Sequence, residues 1–133
     1  MPIRAWIEKD RRRVRAAISG AVGMADILRA IDESVAHPDF ERGFDVLSDH
    51  TEVTRVITVG QLREMVAHLE SLAPQMAGAR WAVATRRPAS YGMMRMLSVY
   101  AERVPMTVEV FDSLVEAEAW LDALATPAPR VRP

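Results

Sequence analysis

The chain has 133 residues, of which 50% are hydrophobic and 26% charged, and its formal net charge at pH 7 is −1. This length and composition predict a single domain, over residues 1–125, and the near-zero charge excludes an overall attraction to nucleic acid or to an anionic membrane. Because the sequence has no cysteine, disulfides, thiolate metal sites and cysteine nucleophiles are excluded as well.

The first elements are a hairpin and a helix. Apolar residues alternate with polar ones over residues 3–7 and 14–18, and the polar residues 9–12 separate the two runs. After Gly23 the apolar period becomes helical, and His37 and Pro38 stop it. We therefore predict two paired strands followed by a helix over residues 24–36.

A strand and a well-marked helix start come next. Residues 44–49 are too few for a helix and predict a third strand, which leads into a polar loop at residues 50–55. Thr58 and Gln61 fit a capping box, in which each side chain satisfies a backbone donor of the other residue. The second helix should begin there and end before Pro74.

Residues 79–103 form one strand–turn–helix unit. The apolar run 81–84 ends in a turn at residues 85–88, and apolar residues then recur at helical spacing, at Met93, Met96, Leu97 and Tyr100. This change of period indicates buried strands that alternate with helices.

The last elements are a strand and a helix. Val108 and Val110 alternate with polar neighbours, and Ser113 with Glu116 forms a second capping box. The helix should face inward through Leu114, Ala117, Trp120 or Leu121, and Leu124. Residues 126–133 contain three prolines and no apolar pattern, so we expect a flexible tail.

The element order predicts a five-stranded, mostly parallel α/β sheet covered by about four helices, with the first strand antiparallel at an edge.

Charge is unevenly distributed along the chain. Residues 1–20 carry six basic and two acidic side chains, whereas residues 105–126 carry five acidic and no basic ones. The two ends should attract each other, within one chain or between chains. For the basic run 11–15 we expect a solvated, charged edge strand.

Three groups of residues resemble the STAS-like, or SpoIIAA-like, family, whose fold is shared with bacterial anti-sigma-factor antagonists. They are Pro38, Asp39 and Phe40 with Gly43, Phe44 and Asp45; residues 91–96; and Val110 and Phe111 with Ala117, Ala119, Trp120 and Leu121. The resemblance implies a sheet with packed helices and a role in bacterial protein–protein signalling rather than catalysis. It also implies a phosphoacceptor Ser or Thr in an Asp-Ser-Ser/Thr-Gly motif after the third strand.

That motif is absent from this sequence. The matching region offers a candidate partner or phosphoacceptor loop with hydroxyls but different neighbours, and its residues are Ser48, Asp49, His50, Thr51 and Thr54. Asp49 and His50 also allow an oriented general base, which would need a substrate group within hydrogen-bond reach. The three histidines have no common metal-ligand spacing, so we expect no metal and no cofactor.

A second candidate site lies at the start of the fourth helix. Arg86, Arg87, Ser90 and Tyr91 follow the fourth strand, where backbone N–H groups and the helix dipole favour an anion or ligand. Solvated arginines in a turn are the simpler interpretation. Met93, Met94 and Met96, with Met65 and Met76, would either pack the core or line an adaptable apolar pocket.

The sequence therefore predicts a non-catalytic protein-interaction or regulatory module. A small apolar-ligand carrier is the alternative, and a small hydrolase or isomerase is a third class. The expected partner is another protein, with a homodimer also allowed, and neither nucleic acid nor a membrane is expected. No run approaches the roughly 18 apolar residues of a membrane span, and the first residues lack the apolar region of a signal peptide, so we expect a cytoplasmic location.

Overall fold

The computed structural model describes residues 3–125, and the structural statements below concern that part of the chain. Five strands are present: β1 (Ile3–Glu8), β2 (Arg13–Gly20), β3 (Asp45–Val53), β4 (Arg80–Ala84) and β5 (Thr107–Phe111). The helices are α1 (Met24–Ala36), α2 (Val59–Ser71), α3 (Ala73–Met76), α4 (Pro88–Tyr100) and α5 (Leu114–Ala125). Two 3₁₀ turns lie at Lys9–Arg11 and Ala101–Arg103. The tail predicted at residues 126–133 lies outside the described residues.

The five strands form one sheet in chain order, β1-β2-β3-β4-β5. β1 pairs with β2 antiparallel at the edge, and the other three pairings are parallel, which confirms the predicted mixed sheet. Because parallel strands are joined by right-handed crossovers, a monotonic strand order carries α1, α2 and α4 to the same face of the sheet.

The main core lies between these three helices and the sheet. Its fully buried side chains include Leu62 from α2, Leu97 from α4 and Val83 from β4. Helix α1 contributes Met24 as a buried residue, and Ile27, Leu28, Ile31 and Val35 pack partly buried against the same cluster. The predicted apolar stripes of these helices are therefore the surfaces that build the core.

Helix α5 packs on the opposite face, over β3, β4 and β5. Ala117 and Leu121 are fully buried there against Leu47, Ala82 and Ala84. Trp120 and Leu114 pack around this smaller cluster, and the Trp120 ring lies 5.7 Å from that of Phe111. The inward face predicted for the last helix is thus observed, except that the side chain of Leu124 lies outside the described ones.

Ion pairs join α5 to β2. Arg13 Nη2 lies 2.9 Å from Asp122 Oδ1, and Arg15 Nη1 lies 2.9 Å from Glu118 Oε2. The expected attraction between the basic and acidic ends therefore occurs within the chain. However, the predicted solvated edge strand is wrong for Arg13, which is 1% exposed. β2 is an interior strand, and α5 leans over it, so the guanidinium is enclosed.

A second polar contact ties the central strands together. Asp45, at the start of β3, accepts hydrogen bonds from the backbone N–H and the guanidinium of Arg80 at the start of β4. Further along the same strand pair, the Trp81 indole N–H donates to Ser48 Oγ at 2.8 Å. Both contacts fix the parallel register of β3 against β4.

Two local predictions are wrong. The third strand is longer than predicted, because residues 52 and 53 pair with Ser19 and Gly20 at the end of β2. The predicted loop at residues 50–55 is therefore largely strand. In α4 the buried methionine is Met94, while Met96 faces solvent.

The predicted capping box of Thr58 and Gln61 is present with both of its hydrogen bonds.

Replacing Asp45 should destabilise the protein strongly. The Asp45→Ala change leaves a mostly buried guanidinium and a backbone N–H without their partner, so we expect a loss of about 3–5 kcal/mol in the free energy of unfolding. Glu41→Ala, which removes the exposed ion pair with Arg12, is the control and should cost under about 1 kcal/mol. Urea unfolding measures both variants. Equal losses in the free energy of unfolding would contradict a strong contribution of the Asp45–Arg80 contact.

Candidate functional site

A cavity of about 80 Å³ lies between α1 and the sheet, and it is partly open to solvent, since Ala5 on its wall is exposed and Ala16 and Ala30 are half-buried. Its walls are apolar side chains of β1, β2 and α1, together with Phe40, Leu69, Met76 and Trp81. Two hydroxyl groups line the cavity, and both are hydrogen-bonded within the protein. Ser34 Oγ donates to the carbonyl of Ala30, and Ser48 Oγ accepts from the indole N–H of Trp81. The cavity therefore presents no unpaired side-chain polar group.

Small residues on facing surfaces leave this space open. Ala5 on β1, Ala16 on β2 and Ala30 on α1 all line the cavity. Ala5 and Ala16 were predicted only as apolar strand residues, and Ala30 belonged to no predicted stripe, so sequence reasoning missed the site. The signal that was present is an alanine between larger apolar residues in each strand of the hairpin.

A second cavity, of about 60 Å³, continues from the first toward the carboxyl edge of the sheet. Ile18, Ile27 and Trp81 line both spaces, which shows that they are neighbours. Met65, Met93 and Met94 line the second cavity. Core packing, the first of the two predictions for these methionines, is confirmed, because Met65 and Met94 are buried in the main core and Met93 packs against it. Met76 lines the larger cavity instead, and Met96 lines neither.

His50 lies on the wall of this second cavity. Residues 50 and 51 bulge out of the ladder opposite Ile18, since Asp49 pairs with Ala17 and Glu52 with Ser19. The ring atom Nε2 of His50 is buried and has no hydrogen-bond partner. Burial lowers the pKa of His50 to about 4, against a smaller opposing effect of the Asp49 charge. The imidazole is therefore neutral at pH 7.

Asp49 does not serve His50 as an orienting group. Asp49 Oδ1 accepts hydrogen bonds from the backbone N–H of Thr51 at 3.0 Å and from its hydroxyl at 2.7 Å. Strand alternation also directs residues 49 and 50 to opposite faces of the sheet. Asp49 and His50 therefore do not form the oriented general base that the sequence allowed.

Thr85 is a second buried polar group without a partner. It follows β4 directly, its side chain is 1% exposed, and its Oγ1 has no hydrogen-bond partner. Thr85 lines a surface groove with Arg86 and Arg87, not the cavity that His50 lines. It lies in the predicted turn at residues 85–88, where the sequence singled out the arginines and not Thr85.

The residues expected to form a phosphoacceptor loop do not form a loop. Ser48 is buried in β3 and hydrogen-bonded to Trp81, and the Thr51 hydroxyl donates a hydrogen bond to Asp49 within the strand. Thr54 lies just past the strand and is exposed. The backbone pairing of β2 with β3 extends the strand through these positions, which is why the predicted loop is absent.

The candidate anion edge is a groove of mixed charge. Arg86, Arg87 and Tyr91 line it together with the acidic residues Asp112 and Glu116. Arg87 Nε donates to the carbonyl of Val53 at 2.8 Å, and Ser90 is buried away from this groove. A hydrogen bond with Asp112, aided by its charge, raises the pKa of Glu116. The carboxyl groups of Asp112 and Glu116 disfavour an anion at the predicted position.

Two kinds of feature are absent from the part of the chain that the structure describes. Among residues 3–125, no group of three or more His, Asp or Glu side chains is arranged to hold a metal ion. In the same part of the chain, no helix is long and apolar enough to span a bilayer.

The fold is similar to one solved structure, that of an uncharacterized protein of the DUF3478 family with a SpoIIAA-like fold from Shewanella loihica PV-4. The TM-score is 0.59, with 15% sequence identity, over 90% of this chain and 91% of that chain. At this identity the likeness concerns the fold alone, and it confirms the expected SpoIIAA-like architecture. No family model matches the sequence, and no curated protein gives a significant match.

The neutral His50 should make stability depend on pH. The unfolded chain binds a proton at His50 near pH 6.5, whereas the folded chain binds it only near pH 4. Stability is therefore fully present above pH 6.5 and falls as the pH drops, by about 3 kcal/mol at pH 4 given 1.4 kcal/mol per pKa unit. Urea unfolding at several pH values measures this loss.

His50→Gln should remove this part of the acid sensitivity, since glutamine does not titrate. His37→Gln is the matched control, because His37 is exposed. The interpretation fails if the native protein and the His50→Gln variant lose stability in parallel between pH 7 and pH 4.

Proposed function

We propose that the protein binds a small apolar molecule between α1 and the sheet. The observation that supports this is the cavity of about 80 Å³, whose two hydroxyls are already bonded within the protein. Because this space is partly open, its apolar walls contact water, and a ligand that covers them gains about 25 cal/mol per Å² of apolar surface removed from water.

The chemistry of the wall favours an apolar occupant. Apolar walls offer water no hydrogen bonds, so the transfer of an apolar molecule from water onto these walls is favourable. The adjoining methionines Met65, Met93 and Met94 have flexible thioether side chains, which adapt to ligands of irregular shape. The protein would thus act as a carrier or sensor of such molecules.

Filling the cavity should abolish binding. Ala16 lines the cavity from β2, so Ala16→Leu places an isobutyl group in the space. We expect the native protein to bind toluene saturably in calorimetric titration, and Ala16→Leu to bind it at least tenfold more weakly. Because the leucine enters an existing cavity, the variant should avoid the usual overpacking loss of about 1–3 kcal/mol.

Ala25→Leu is the matched control, since Ala25 lies on the exposed side of α1. This variant should bind toluene as the native protein does. The proposal is wrong if native protein shows no saturable binding, or if Ala16→Leu and Ala25→Leu bind equally well.

A second proposal is interaction with another protein, as the family resemblance implies. It is favoured by three exposed apolar side chains on α4, namely Tyr91, Met96 and Val99, the last of which is 64% exposed. Helical spacing places them on one side of α4, next to Arg95. Such a surface is typical of sites that bind protein partners.

Val99→Glu should therefore weaken partner binding in a pull-down from bacterial extract. Val115→Glu is the control, because Val115 is equally apolar and exposed but lies on α5. Sedimentation velocity separates self-association from binding of a different protein. Retention of no protein by the native chain, together with a monomer at all concentrations, would rule out this second function.

A further inference from the structure

We propose that a second copy of this chain pairs with the open edge of β1, so that the two sheets join into one, antiparallel at the junction. Among residues 3–125, β1 is hydrogen-bonded to β2 alone, and its other side is an edge of the sheet. An edge strand presents a row of unpaired backbone N–H and C=O groups, which a further strand can pair with. This contact depends neither on an apolar ligand nor on α4, so it goes beyond the proposed function.

The middle of β1 lacks the features that usually protect an edge strand, such as charges, a proline or a bulge. β1 pairs with β2 over its whole length without a bulge, and its central residues Ala5, Trp6 and Ile7 are uncharged. Ala5 is exposed, and Trp6 is 40% exposed. A groove lined by these residues, by Ile3 and by one side of α1 follows this edge, which leaves room for a further strand.

The edge matches a copy of itself in one register. Side chains that lie directly opposite in an antiparallel pair point to the same face of the sheet, so a two-fold axis between two β1 strands must pass beside a residue. With the axis beside Trp6, the two Trp6 rings lie opposite each other, and Ala5 lies opposite Ile7 of the second copy. On the same face as Trp6, Arg4 then lies opposite Glu8 of the second copy.

The charges of Arg4 and Glu8 favour this register. Within the described chain the Arg4 guanidinium lies over the Trp6 ring, 5.3 Å from its centroid, and pairs with no carboxylate. Glu8 Oε2 lies 3.4 Å from Arg15 Nη1, while Glu8 Oε1 has no hydrogen-bond partner. Opposite charges directly across an antiparallel pair are stabilising, and the two-fold axis forms the Arg4–Glu8 contact twice. This self-complementarity is the reason for choosing a second copy as the occupant.

The surroundings of the edge have the anatomy of an interface between proteins. Such interfaces combine an apolar, often aromatic, middle with a polar rim. The α1 side of the groove supplies polar side chains of both signs, namely Asp26, Arg29 and Glu33. A rim of mixed sign does not repel a copy of itself, and Trp6 supplies the aromatic middle.

Charge reversal and its rescue test the contact. Sedimentation equilibrium should show a concentration-dependent dimer of the native chain. Arg4→Glu and Glu8→Arg each place like charges opposite in both symmetry-related contacts, so each variant should dimerise at least about tenfold more weakly. An equimolar mixture of the two variants should associate about as strongly as the native chain, because two acidic positions in one variant then face two basic positions in the other.

Arg63→Glu and Glu64→Arg are the matched controls, since they make the same changes on the exposed side of α2. Neither variant should change the dimer dissociation constant, alone or mixed. Glu8→Arg also removes the ion pair with Arg15, so if this variant does not fold, Arg4→Glu compared with Arg63→Glu decides the question.

Cross-linking tests the register, because the chain has no cysteine of its own. In Trp6→Cys the two thiols lie directly opposite, with Cα atoms about 4.5–5.5 Å apart, which is within the range of a disulfide. In Arg4→Cys the two thiols lie four residues apart along the strands, or about 14 Å. Mild oxidation should therefore give a covalent dimer of Trp6→Cys and not of Arg4→Cys, and equal yields would overturn the register.

Three further outcomes would overturn the second-copy inference. The first is a native chain that stays monomeric at all concentrations. The second is a dimer that Val99→Glu weakens and Arg4→Glu does not, because self-association would then use α4. The third is a monomer that retains a different protein from extract and loses it on Arg4→Glu, because the edge would then bind a foreign strand.

Discussion

The strand order is the constraint on which the rest of the molecule depends. Because β2 to β5 lie side by side in chain order and are joined by right-handed crossovers, α1, α2 and α4 must share one face of the sheet. Only α5 remains for the other face. The main core and the cavity beneath α1 both belong to the three-helix face. The parallel register of β3 against β4 is held at its start by the buried contact of Asp45 with Arg80.

The single helix on the opposite face explains the arginines of β2. Helix α5 covers β3, β4 and β5, so its edge toward β2 meets polar rather than apolar side chains. Arg13 and Arg15 pair there with Asp122 and Glu118, and Arg13 becomes fully buried. Buried ion pairs contribute less to stability than to specificity in several systems, since desolvation offsets much of the attraction. In this fold they define where α5 docks on the sheet.

The candidate site combines apolar walls with one unpaired polar atom. The two cavities are partly open to solvent and lined mainly by apolar side chains, and the buried Nε2 of His50, on the wall of the second one, has no hydrogen-bond partner. A ligand that covers the apolar walls removes their surface from water. The groove beside Arg86 and Arg87 is less suited to an apolar ligand, because Asp112 and Glu116 share it and Arg87 donates to the carbonyl of Val53.

Local signals in the sequence determined most of the secondary structure. The helix over residues 24–36, the capping box of Thr58 and Gln61, and the alternation in the hairpin each depend on residues within a few positions, so pattern and propensity were sufficient. The SpoIIAA-like fold followed from the element order and the family resemblance. Tertiary structure alone decided the burial of Arg13, the extension of β3 through His50, and the cavity between Ala16 and α1. Each of these depends on which atoms lie opposite a residue on another element, and the chain's local pattern does not contain that information.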